Sequence, residues 1–260
     1  MTFIETLPED DATGAMAEIY AGDRERFGFL PNFTRAFSLR PEVYAAWLEL
    51  NGAIKAGMDP RRYELATLAA ARRLRSTYCA LAHGKVLADR FLDPDAVRAA
   101  VTDHGAAGLD EVEVAVMDLA DKVAADATSV READLERLRS LGLSDADILD
   151  VVLAAAVRSS FSKTLDAVGA EPDSHYAEHD EGLREALAVG GPSGLSPATQ
   201  SSSPIRRSNP AGAWMFSIRT EVGPSLRKAC SSPGGTRTKV PGPALTSRPS
   251  KMKVSSPSRM

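Results

Sequence analysis

A thiol, an imidazole and a carboxylate fall close together in one alanine-rich stretch. Cys79 and His83 stand in Ser76-Thr77-Tyr78-Cys79-Ala80-Leu81-Ala82-His83, and Glu64 lies fifteen residues before the cysteine. These three groups suit proton-coupled thiol chemistry. Sulfur is the nucleophile as a thiolate, imidazole can take or return a proton, and a carboxylate can orient the imidazole or relay that proton. The position where a redox C-x-x-C would carry its other thiol holds Ser76.

A helix beginning at Ser76 or Thr77 would place these residues usefully. With Ser76 as N-cap, Cys79 becomes the third helical residue and faces the unsatisfied amides at the positive helix end, which favours the thiolate. Arg72 and Arg75 just upstream can add positive potential, and the Ser76 hydroxyl can donate to the sulfur. His83, four residues on, projects from the same face as Cys79. Glu64 sits beside Leu68 and Ala71 on the preceding helix, where a carboxylate bordering an apolar face needs a partner. An antiparallel packing of the two helices would bring it to His83. The same residues also have a plain structural reading. A cysteine on a helix face is commonly a small buried hydrophobe, a histidine there commonly structural, and Glu64 can be a solvated first-turn acid.

The supporting elements read almost entirely as helix. Amphipathic or capped segments are expected over 12–26, 41–56, 60–74, 77–91, a short one after Asp93-Pro94, 109–124, 128–141 and 148–168, with Phe29-Leu30-Pro31-Asn32 as a turn. Pro41 and Pro60 suit first helical turns. Ser129 and Glu132 fit a capping box, Ser144-Asp145-Ala146-Asp147 caps the last long helix, and Gly142 is placed to end a helix. Ile148, Leu149, Val151, Val152 and Leu153 leave the last long helix without a polar face, which suggests the centre of a bundle or an oligomer interface. No strand pair is evident.

Charge divides the 260 residues in two. The first 189 carry a net −14, and the remainder, from Gly190, a net +10 with ten of the sixteen prolines and fifteen serines. The expected organisation is a helical domain over 1–189 and a Ser/Pro/Arg-rich disordered tail over 190–260, too poor in periodic apolar residues to offset its chain entropy. Such a composition is also what GC-rich coding DNA yields when read out of frame. The tail lacks the interleaving of aromatic and basic residues that would suggest a nucleic-acid arm. Neither a leader nor a membrane span is evident, and Cys79 and Cys230 lie in different regions, so a cytoplasmic, reducing location is expected. His175-Tyr176-Ala177-Glu178-His179 has the H-x-x-E-H spacing of a zinc motif, but lacks an evident third ligand, so no metal or cofactor is expected. His104 reads as loop surface.

Arg62-Tyr63-Glu64-Leu65-Ala66-Thr67-Leu68-Ala69-Ala70-Ala71, followed by Ser76-x-Tyr78-Cys79-x-x-x-His83, resembles the AhpD-like or carboxymuconolactone decarboxylase superfamily, and most of all its peroxidase-related members. Gly28-Phe29-Leu30-Pro31-Asn32 with Ser38-x-x-Pro41, and Leu165-Asp166-Ala167-Val168-Gly169 with Pro172-Asp173, resemble that group's two ends. The resemblance spans residues 5–189. It implies an all-α, AhpD-like helical bundle that forms homo-oligomers. It also implies an alkylhydroperoxidase, peroxiredoxin-type antioxidant activity built on E-x11-C-x2-C-x3-H. Glu64 and His83 then relay protons, Cys79 is the cysteine attacked by peroxide, and Ser76 replaces the resolving cysteine. With serine there, the expected cycle runs through one cysteine: a small hydroperoxide is reduced, Cys79 becomes a sulfenic acid, and an external thiol restores it. The alternatives are a carboxymuconolactone decarboxylase-like, non-redox enzyme and a non-catalytic oligomeric member of the fold.

Overall fold

The computed structural model describes residues 2–178 and 180–190. The tail from residue 191, Cys230 and His179 lie outside them, and with them the expectation of a disordered tail. Ten α-helices follow in order: α1 Gly14–Phe27, α2 Asn32–Ala36, α3 Pro41–Gly57, α4 Pro60–Arg73, α5 Thr77–Arg90, α6 Pro94–Asp103, α7 Glu111–Asp126, α8 Glu132–Ser140, α9 Asp145–Ala167 and α10 Glu181–Leu187. Among the described residues there is no strand, as the all-α reading expects.

Local chemistry sets the helix starts. Pro41, Pro60 and Pro94 each occupy a first-turn position. There the missing N–H costs nothing and the fixed φ is already helical. The carboxylates of Asp59 and Asp93 accept the backbone N–H of Arg62 and Ala96. The cap expected at Ser144 forms, and Asp147 completes it as a capping box, each taking the other's backbone N–H. The box expected at Ser129 does not form. Ser129 belongs to a short 3-10 turn, Ala127–Ser129, and α8 starts at Glu132, where Asp134 takes the N–H of Arg131. In that turn the Asp126 carboxylate accepts the amide of Thr128.

The most enclosed helix is α4, not the apolar α9. All nine residues from Tyr63 to Ala71 are buried. Small side chains explain this: five of the nine are alanine or threonine, so α5, α7 and α9 can all close upon α4. Helix α9 packs on α3, α4 and α7, and leaves Leu149 exposed. Two short helices escape the periodicity altogether. Helix α2 emerges from the expected turn, and α10 folds back on α5 and α6. Gly84 admits that return, since a Cβ there would lie 2.6 Å from the Leu187 side chain.

Three residues, Leu74, Arg75 and Ser76, join α4 to α5. Arg75 takes φ 59°, the left-handed region, and among the described residues is the sole non-glycine there. The reversal it makes turns α5 back along α4.

Candidate functional site

The first turn of α5 is held from both ends of the chain. Tyr78 hydrogen-bonds to the Asp173 carboxylate, and its hydroxyl accepts the Phe33 N–H at 2.9 Å. Asp173 also accepts the Asn32 N–H at 2.8 Å. The two terminal signatures, around Asn32 and Asp173, thus converge on the residue beside Cys79. Ser76 is the N-cap residue and Cys79 the third helical residue, as the spacing suggests. The Ser76 hydroxyl, however, donates to Asp166 Oδ1 at 3.0 Å rather than to the sulfur. Its single proton is committed to a carboxylate, a stronger acceptor than sulfur. Arg72 and Arg75 also turn elsewhere, donating to the carbonyls of Thr102 and Val189.

The reversal at Arg75 brings Glu64 to His83. Glu64 Oε2 lies 2.6 Å from His83 Nδ1, and Lys55 Nζ of α3 donates to Glu64 Oε1 at 3.1 Å. Thr67 Oγ1 is 3.1 Å from the same Nδ1 while donating to the Tyr63 carbonyl at 2.8 Å. Both neighbours of Nδ1 are therefore acceptors, which places the ring proton on Nδ1 and leaves the Nε2 lone pair as the base. Burial raises the Glu64 pKa, but His83 and Lys55 outweigh it and hold the carboxyl down at about 2. Burial, reinforced by the charge of Arg158, pushes His83 down to about 4 against the pull of Glu64. At neutral pH the pair is carboxylate and neutral imidazole.

The cation at the sulfur comes from α9. Arg158 Nη1 donates to Cys79 Sγ at 3.7 Å. Cys79 is 2% exposed and Arg158 5%. The guanidinium carbon sits 5.8 Å from the Trp47 ring and 5.3 Å from the Phe161 ring, and those rings stack on each other at 4.1 Å. The Nε atom of Arg158 is buried with no hydrogen-bond partner. Burial works against its charge, and the Cys79 sulfur and Tyr63 hydroxyl more than offset that, raising its pKa above the usual arginine value. Nothing in the local pattern pointed to Arg158. The available signal was its isolation, as the one charged residue between Asp150 and Lys163 on an apolar helix.

The other candidates lie apart. His104 is not free loop surface, since Nε2 meets Asp118 Oδ1 at 2.8 Å. His175 sits in a 3-10 turn against the rings of Phe29 and Tyr176. Among the described residues no three His, Cys, Asp or Glu side chains converge as metal ligands. A surface cleft of about 440 Å³ opens where Arg73, Asp121, Lys122 and Asp134 line α4, α7 and α8, and it contains neither Cys79 nor His83. No described helix is long and apolar enough to cross a membrane.

Residues 41–122, which include α4 and α5, match the Carboxymuconolactone decarboxylase family. None of the curated proteins matches the chain. Among solved structures, the chain is similar to the alkylhydroperoxidase AhpD core of an uncharacterized peroxidase-related protein from Ralstonia eutropha JMP134. The TM-score is 0.63 at 21% identity, over 67% of this chain and 94% of that one. A similar likeness holds to an uncharacterized peroxidase-related protein from Silicibacter sp. TM1040, with TM-score 0.59 at 22% identity, over 67% and 90% of the two chains. The debrominase Bmp8, in complex with 2,3,4-tribromopyrrole, superposes with TM-score 0.57 at 15% identity, over 72% and 96%. At these identities the likeness is one of fold.

Proposed function

The chain belongs to the AhpD-like and carboxymuconolactone decarboxylase superfamily, and on that footing we propose that it reduces small hydroperoxides through Cys79 alone. The observation that carries the proposal is the pairing of Glu64 with His83 Nδ1 one helical turn from Cys79. In the reaction the sulfur attacks the terminal oxygen of ROOH and the O–O bond breaks. Sulfur gives up two electrons, Cys79 becomes a sulfenic acid, and the alkoxide leaves as ROH. His83 Nε2 serves as the proton carrier, because Nδ1 is committed to Glu64 and Thr67. Ser76 contributes by fixing the start of α5 through Asp166, not by bonding to sulfur.

Serine at position 76 forms no disulfide, so an external thiol, supplied by a reducing compartment such as the cytoplasm, returns the enzyme to its starting state. One equivalent of that thiol forms a mixed disulfide with Cys79 and releases water, and a second frees Cys79. Burial of the sulfur favours slender hydroperoxides over bulky ones. Assembly into a homo-oligomer is supported by the exposed apolar residues Leu39, Val43 and Leu50 on and beside α3.

The test is intact mass after brief exposure to an organic hydroperoxide with a sulfenic-acid trap present, comparing wild type with Cys79→Ser. The expected result is a trapped adduct at Cys79 that the variant lacks. No adduct, under conditions that oxidise an ordinary free thiol, would refute the reading. The Glu64–His83 pair would then stand as an acid–base couple for decarboxylase-like, non-redox chemistry, which the family match over residues 41–122 favours next.

A further inference from the structure

We infer that Lys55 is the positioning residue of the Glu64–His83 couple. Its ammonium occupies Glu64 Oε1, so that the carboxylate turns Oε2 to His83 Nδ1 and the ring keeps its lone pair on Nε2. The geometric half stands by itself, and its use in catalysis rests on the hydroperoxide-reducing reading above.

A lysine at the edge of a helix ordinarily carries its ammonium into water. Lys55 turns inward instead. Its side chain is 17% exposed and lies over the Tyr63 ring, with Nζ 4.4 Å from the ring centroid and 3.1 Å from Glu64 Oε1. The Glu64 side chain is more deeply buried still, and its other oxygen meets His83 Nδ1 at 2.6 Å. Lys55 stands in the last turn of α3, where the unsatisfied carbonyls of the helix favour a cation. Burial lowers the Lys55 pKa, Glu64 opposes that, and Arg26 and Arg158 add to it. A buried ammonium persists where an opposite charge meets it. Glu64 supplies that charge, and it is the same carboxylate that holds the imidazole.

The charged and titratable groups that face the couple come from each element packed on it. They are Lys55 of α3, Tyr63 of α4 and Arg158 of α9, with Arg26 of α1 acting on Lys55 and Cys79 one turn before His83 on α5. Burial keeps Tyr63 neutral, and its hydroxyl donates to Asn51 Oδ1 at 2.6 Å. Burial disfavours a proton on His83, as do Arg158 and Lys55, whereas Glu64 favours it. Lys55 also acts on the other member of the couple. Against burial, His83 and then Lys55 hold the Glu64 carboxyl down.

Removing the ammonium leaves a buried carboxylate without its cation, and burial then raises its proton affinity. The carboxyl can keep a proton and donate it to Nδ1, which moves the ring proton to Nε2. Otherwise the ring takes a second proton and becomes imidazolium. In both cases Nε2 stops being an acceptor. With Lys55 in place, Nε2 accepts a proton and, because the ring holds it weakly, hands it on to the departing RO oxygen to give ROH.

The experiment is imidazole nitrogen NMR of His83 in the full resting chain, followed downward from about pH 8, with His83→Gln assigning the signal. Wild type is expected to show the Nδ1–H tautomer at neutral pH. Lys55→Met is expected to move the ring proton to Nε2 or to raise the ring's proton affinity at least about tenfold. Lys55→Arg, which keeps the cation, is expected to stay within about threefold of wild type. An Nε2–H tautomer in wild type overturns the inference whether or not the variants fold, and so does an unchanged His83 in folded Lys55→Met. In hydroperoxide turnover, Lys55→Met is expected to lower kcat at least about tenfold with little change in KM, and Lys55→Arg to recover most of it. The NMR readout needs no hydroperoxide, so the two readings separate. A changed His83 in Lys55→Met with no sulfenic acid in wild type keeps Lys55 in its role and removes the peroxidase. Sulfenic acid formation with an unchanged His83 does the opposite.

Discussion

Two regions of this molecule concentrate charge, and they balance it differently. On the outer faces of α4, α7 and α8, Arg73 pairs with Asp121, Lys122 with Asp134, and Arg137 with Asp118, one cation to one carboxylate. Those side chains keep much of their water. At the buried junction of α4, α5 and α9, Lys55 pairs with Glu64, while Arg158 meets the Cys79 sulfur rather than a carboxylate. The open cleft thus gathers paired charges and is the poorer candidate for chemistry. A site is marked by a buried charge whose partner is a reactive group, more than by the number of charges present.

The comparison breaks most sharply at Cys79. Cys79→Ser is expected to lower hydroperoxide turnover to the uncatalysed rate in an assay coupled to oxidation of an added dithiol. Turnover near the wild-type rate would leave the junction no more special than the cleft. Glu64→Ala is next in size. It strands Lys55 in the interior and takes the acceptor from His83, which should cost about 3 kcal/mol of stability in urea melts. A cost below about 1 kcal/mol would mean that the junction behaves like the surface.

Acid separates the two regions in another way. The folded His83 pKa is depressed, from 6.5 to about 4, because burial disfavours the imidazolium. The unfolded chain therefore takes up the proton first. The stability is fully present above pH 6.5 and falls as pH drops toward about 4, by at most about 1.4 kcal/mol per pH unit. Glu64, depressed from 4.5 to about 2, extends the loss to still lower pH. Thermal melts of wild type should show this decline, and His83→Gln should lack its upper part. An identical decline in both would remove His83 from the explanation. The smallest effect belongs to the cleft: Asp121→Asn, which frees Arg73 at an exposed pair, should change stability by under about 1 kcal/mol and leave turnover unchanged.

The contrast also separates what sequence shows from what it hides. Several of the long helices were legible from their starts, since Pro41, Asp59-Pro60, Asp93-Pro94 and Ser144 mark first turns or caps. So was the meeting of Glu64 and His83, which needs only two adjacent helices packed antiparallel. Helices α2 and α10, of five and seven residues, are too short for periodicity to register, and both are fixed by distant contacts such as Asn32 with Asp173. The prominence of α4 was missed because alanine looks weakly hydrophobic in a pattern, yet it is the residue that lets three helices approach. Arg158 and the acceptor of the Ser76 hydroxyl were hidden for a shared reason. Each pairing spans 79 or 90 residues of chain, and local spacing carries no information over that range.

The link between α4 and α5 acts as a length gauge. Surface loops commonly accept an added residue with little consequence. Here Leu74, Arg75 and Ser76 set the rotation of α5 about its own axis, and each helical residue advances that rotation by about 100°. One inserted amino acid would leave both helices intact while swinging the sulfur and the imidazole toward different neighbours. Among the loops of this protein, this is therefore where a lengthened variant should keep its helix content and lose its chemistry.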